Sequence, residues 1–94
     1  MTKSIVQNTK EICFFCGAST TIRHHVFGGS GKRSLAEKDG CWIYLCVEHH
    51  TGSNYSVHLC RERDLYLKRI AQKKWESIYG NREDFIKRYG KSWL

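Results

Sequence analysis

Cys46-Val47-Glu48-His49-His50 puts one thiol and two imidazoles within five positions. Upstream, Cys13-Phe14-Phe15-Cys16 carries two thiols across the same two-residue gap that separates Cys46 from His49. A structural zinc ion takes four thiolate or imidazole ligands in a tetrahedron, commonly as two such half-sites from distant parts of a chain. Cys13, Cys16, Cys46 and His49 are the expected set. Cys41 and Cys60 remain open as substitutes for the third and fourth ligands, although a buried free cysteine is a common core residue. His50 is then left over, and His24-His25 form a second store of imidazole. Adjacent residues on a strand face opposite ways; one histidine of that pair can hold a metal while the other, swung by local twist or a bulge, activates water.

These residues need elements to position them. Residues 1–11 are polar with isolated aliphatics and read as a loose arm that can lie along a sheet edge. Ile12 to Gly17 reads as a cysteine knuckle, with Gly17 supplying the positive φ of its turn. Thr20 to Phe27 is rich in β-branched and aromatic residues and reads as a strand, as does Cys41 to Leu45. Between them, Gly28-Gly29-Ser30-Gly31-Lys32-Arg33 is a flexible basic loop, read first as an exposed connector and second as a phosphate cradle. One helical turn is expected at Ser34–Lys38, with Asp39-Gly40 as a turn. A short helix should begin at Cys46 and end at Thr51-Gly52-Ser53-Asn54.

A long amphipathic helix is expected from about His58 to Tyr79, with Leu59, Leu67, Ile70, Ala71, Trp75 and Ile78 as its apolar positions and Gly80 as its C-terminal cap. Its other face carries Arg61, Arg63, Lys68, Lys73 and Lys74. Asn81 and Asp84 have the spacing of a capping box for a short last helix, Arg82–Tyr89, which buries Phe85, Ile86 and Tyr89. Trp93 and Leu94 are expected to fold back on the body.

The chain has 94 residues, enough for one domain with a modest core, so a metal staple matters to its stability. A net charge of +7 points to a polyanionic partner, most often nucleic acid. There is no apolar leader of signal-peptide type and no run of membrane-spanning length, so no membrane partner and a cytoplasmic location are expected. In that compartment, five cysteines read as metal ligands before they read as disulfides.

Cys13-x-x-Cys16, His24-His25-Val26 and Leu45-Cys46-x-x-His49-His50 together resemble the zinc-bound branch of the HNH, or ββα-metal, endonucleases. With the Ser56-Val57-His58 ending, they are similar to short HNH proteins of phage genomes. The resemblance covers about residues 12–58 and implies an α+β fold: a small zinc-stapled ββα-metal core, then the C-terminal helices at about 58–90, all within one domain, 1–94. His49 stands where the family usually has a second cysteine. Gly40 and Cys41 stand where it has its middle asparagine.

What the resemblance implies is a metal-dependent DNA endonuclease or nickase that hydrolyses phosphodiester bonds to 5′-phosphate and 3′-hydroxyl ends. Besides structural Zn²⁺ it implies one catalytic divalent ion (Mg²⁺, Mn²⁺, Ni²⁺ or Zn²⁺) on His24, His50 and His58. His58 enters by way of an insertion after the usual position. His25 becomes the general base, its other ring nitrogen donating to a backbone carbonyl. Arg23, Lys32, Arg33, Arg61 and Arg63 are the side chains expected to meet DNA. Partners would be DNA and either a second copy in a homodimer or other phage DNA-processing proteins, in a bacterial host cell. The alternative is a non-catalytic zinc module that binds DNA or protein. A thiol-redox role for Cys13-x-x-Cys16 needs a helix starting at the first thiol, which Gly17-Ala18-Ser19 does not supply.

Overall fold

The computed structural model describes residues 3–94, with the order β1 (Arg23–His25), α1 (Lys32–Asp39), β2 (Trp42–Tyr44), a π-helical turn (Glu48–Gly52), α2 (Arg61–Ile78) and α3 (Arg82–Tyr89). The fold is α+β, with one two-stranded antiparallel sheet among the described residues. Arg23 pairs with Tyr44, His24 with Ile43 and His25 with Trp42. Both strands are shorter than their β-rich sequence suggests. Only one further hydrogen bond extends the ladder at each end, Leu45 N to Ile22 O at 3.0 Å and Val26 N to Cys41 O at 2.9 Å.

The outer edge of β2 is covered rather than left open, which removes a site for unwanted pairing. Ile5 N donates to Gly40 O at 2.9 Å, and the Ser4 hydroxyl donates to the Trp42 carbonyl. Tyr44 N donates to Gln7 Oε1 at 2.8 Å, and Phe14 N donates to Tyr44 O at 2.8 Å. The N-terminal arm is therefore tied to β2 from residue 4 onward; the first two residues of that expected loose arm lie outside the described residues. Gly40 ends α1 in the left-handed region, with φ 81°, and a Cβ there would collide with the Lys3 carbonyl.

The inner face of the sheet meets the C-terminal helices. Ile43, Leu45, Leu67 and Phe85 are fully buried, and Phe27, Trp75 and Tyr89 pack with Phe85. Burying each large side chain contributes about 2 kcal/mol. The capping box at Asn81 and Asp84 forms as the sequence predicts, and α3 covers the expected residues. Other expectations fail. Leu59 and Ile78 are exposed at 67% and 56%, because α2 starts only at Arg61 and its buried stripe is Leu67, Ala71, Gln72 and Trp75. Ile86 is also exposed, on the outer face of α3. Gly80 keeps a negative φ, and Tyr79 is the C-cap.

Asp39 is the largest departure. Read as a turn residue, it closes α1 as a buried carboxylate that ties three elements together. It accepts from Trp75 Nε1 at 2.8 Å, from Arg88 Nε at 2.6 Å and Nη2 at 2.8 Å, and from the Tyr89 hydroxyl at 2.7 Å. Burial alone would raise its pKa, but these donors outweigh it and hold the carboxyl below the ordinary value. Removing the carboxylate leaves a guanidinium and two ring donors unpaired, which costs about 3–5 kcal/mol where a buried pair is broken. Asp39→Ala is therefore expected to lower the unfolding free energy by about 3 kcal/mol in urea titration, and a loss under about 1 kcal/mol would contradict this role.

Candidate metal centres

Two groups of ligand side chains converge, and they share no residue. The first is Cys13, Cys16, Cys46 and His49, whose donor atoms all lie within 4.8 Å of one another. The knuckle at Cys13–Cys16 turns through Gly17, φ 78°, with Gly17 N donating to Cys13 O at 3.0 Å. Cys46 follows β2, and the turn after it brings His49 back toward the same point. Cys16 Sγ lies 3.7 Å from Cys46 Sγ, while His49 Nδ1 lies 3.7 Å from Cys13 Sγ and 3.2 Å from Cys46 Sγ. A tetrahedron with Zn–S of about 2.3 Å and Zn–N of about 2.0 Å has edges of about 3.8 Å and 3.5 Å, so the donor set fits zinc.

Electrostatics act in opposite directions on the two knuckle thiols. Burial pushes the Cys13 thiol up, but the backbone N–H groups of Cys46, Cys16 and Phe15 aim at it and bring it below its ordinary value. The Ala18 N–H pulls Cys16 down, yet desolvation and the neighbouring Cys13 and Cys46 leave that thiol raised overall. The two open substitutes fall outside the group. Cys41 is fully buried, pushed up to about 12 by desolvation, and 4.0 Å from the Tyr89 hydroxyl. Cys60 is the residue before α2.

The second group is His24, His50 and His58. His24 faces the core from β1, opposite Ile43, whereas His25 leaves by the other face. His50 follows the ligand His49 on the π-helical turn and diverges from it toward β1. The eight-residue gap to His58 is absorbed by a loop that doubles back. Val57 N donates to His49 O at 2.8 Å and His58 N approaches His50 O at 3.4 Å. The His58 and His50 Nε2 atoms end 3.0 Å apart. Cis ligands at about 2.1 Å on an octahedral ion are separated by about 3.0 Å, which is the same spacing.

His24 Nε2 is buried without a hydrogen-bond partner among the described residues. An unpaired buried ring nitrogen is costly unless something binds it. Desolvation, then the proximity of His50 and His58, depresses the His24 pKa to about 3, and desolvation followed by His58 and Arg33 lowers that of His50. Both imidazoles are held in the neutral form that ligates metal. Three imidazoles suit a divalent transition ion.

His25, next to His24 in sequence but on the other face of β1, has Nε2 3.1 Å from Glu37 Oε1 and Nδ1 3.4 Å from Arg33 Nε. The expected backbone carbonyl partner is thus replaced by a carboxylate. Glu37 was missed in the sequence because it sits in a short polar helix with no motif around it. Of the basic residues, Arg23 is engaged by Glu37 at 3.3 Å and stacks 4.0 Å over Trp42. Arg63 lies 4.8 Å over Phe15, against the cysteine knuckle. Lys32 and Arg33 open α1, and Arg61 is exposed at the start of α2. Gly28, Gly29 and Ser30 form an exposed connector, but the expected loop ends early, because α1 already starts at Lys32.

No family model, curated protein or solved structure matches this chain. Among the described residues, no helix is long and apolar enough to cross a membrane.

Two outcomes follow from the centres. A domain of this size has a net stability of about 5–10 kcal/mol, whereas a structural zinc site contributes about 10 kcal/mol or more. Stripping the ion with a strong chelator, or Cys46→Ser, is expected to abolish the cooperative thermal transition seen by circular dichroism; an unchanged transition would rule out a structural metal. Second, His24 has a folded pKa near 3 against 6.5 unfolded. The unfolded chain then binds the extra proton, so His24 costs no stability above pH 6.5 and progressively more below it. Between pH 6.5 and 5 the wild type should lose up to about 1.4 kcal/mol per pH unit more than His24→Gln, measured by urea titration. Equal slopes would show that His24 is not held neutral.

Proposed function

We propose that this protein is a metal-dependent DNA endonuclease or nickase built on a ββα-metal core, with Cys13, Cys16, Cys46 and His49 holding a structural zinc. The observation that carries the reading is the separate convergence of His24, His50 and His58, with a buried His24 nitrogen that has no hydrogen-bond partner among the described residues and a further imidazole, His25, next to it in sequence. A fold that needed only a staple has no use for the second group.

When bound by the trio, a divalent cation supplies positive charge opposite the phosphate and its departing 3′ oxygen. The chain's own residues do the rest. His25 accepts a proton from water through Nδ1, the nitrogen not committed to Glu37. Arg33 and Lys32 sit at the start of α1, where a phosphate reaching His25 would pass, and Arg61 offers a further exposed cation at the start of α2. The net charge of +7 favours a DNA substrate over a neutral one, with affinity falling as salt rises. The 5′-phosphate and 3′-hydroxyl products belong to this reading.

Incubation of supercoiled plasmid with Mg²⁺, Mn²⁺, Ni²⁺ or Zn²⁺ is expected to give nicked or linear DNA. His25→Ala should reduce the rate by about 100-fold or more while DNA affinity and melting temperature hold, since a general base contributes about 10²–10⁴. A wild type that binds DNA but cuts it with none of these ions would instead make the chain a non-catalytic zinc module.

A further inference from the structure

Among the described residues, Glu37 is the carboxylate in contact with the imidazole assigned to water activation. Its Oε1 is 3.1 Å from His25 Nε2 and 3.3 Å from Arg23 Nη1. On the far side of the same ring, Arg33 Nε is 3.4 Å from Nδ1. A guanidinium N–H can only donate, so Nδ1 must offer a lone pair. The ring proton then resides on Nε2 and is donated to Glu37. The two neighbours define one tautomer and one ring orientation.

We propose that Glu37 is a positioning residue for His25: it holds the Nε2–H tautomer so that the Nδ1 lone pair is the one left to take a proton from water. This rests on the hydrolytic reading. Arg23 anchors the carboxylate from its other side, and the Arg23–Trp42 stack in turn holds Arg23. The brace therefore runs from β2 through β1 to α1. Arg33 occupies the lone pair until a phosphate offers it a stronger partner, because charge-assisted contacts to phosphate exceed a contact to a neutral ring. Glu37 also stands within three residues of Gly40, where the resemblance leads one to expect an asparagine, and it supplies a polar anchor for the base from α1 instead.

The test uses the zinc-loaded full chain. In ¹⁵N-labelled protein, the His25 ring is expected to show the Nε2–H pattern in long-range ¹H–¹⁵N spectra. Glu37→Ala should mix the tautomers and lower kcat on plasmid by about 10²-fold, with KM within about threefold. Glu37→Gln keeps an oxygen acceptor and should restore the Nε2–H pattern and most of kcat. An Nδ1–H ring in the wild type, or a kcat in Glu37→Ala within threefold of wild type, overturns the proposal. If the wild type cuts nothing, the hydrolytic reading fails by itself, and the spectra still decide whether Glu37 fixes the ring.

Discussion

Neighbouring side chains on an extended or tightly turned backbone cannot point the same way, and this chain depends on that constraint twice. On β1, His24 turns inward and His25 outward. On the π-helical turn, His49 joins the cysteines and His50 leaves them for His24. Two adjacent pairs are thereby divided among three surroundings: a cysteine-rich cage, an imidazole cluster that runs from buried His24 to exposed His58, and a partly buried position against a carboxylate. Shifting either backbone segment by one residue would exchange those surroundings and destroy all three.

What keeps the two segments in register is spread over the molecule. The knuckle ties β2 to the first cysteines through Phe14 N and Tyr44 O, and Asp39 ties α1 to both C-terminal helices. The first is a backbone contact completed by the cysteine cluster; the second is a buried charge with four donors around it. Neither region is large enough to stand on apolar burial alone. The cysteine cage and the carboxylate anchor share no residue and act on different elements.

Much of this was legible in the sequence because it lies in residue type and short spacing. Cys13, Cys16, Cys46 and His49 converge as their two-residue gaps suggest, and Asn81 with Asp84 forms its capping box. The grouping of His24 with His50 and His58 came from a family resemblance, and the observed loop explains how an eight-residue gap can close. The failures share a different cause. Asp39 and Glu37 act through partners twelve to fifty residues away in the chain, Leu59 looks helical by composition but precedes the helix, and Gln72 is buried because Trp93 N donates to it at 2.7 Å. None of these has a local pattern, since tertiary contact alone decides their role.

The doubling back of residues 53–58 has a consequence for how the two halves of the molecule communicate. His58 is three residues ahead of α2, and its backbone is fastened to the turn that carries His49 and His50. The backbone bonds from Val57 N and His58 N tether the root of the basic helix to the turn that carries His49 and His50. By linkage, were an ion held by His24, His50 and His58, whatever displaced that root would loosen it by the same free energy, and helix and ion would form a single reciprocal lever.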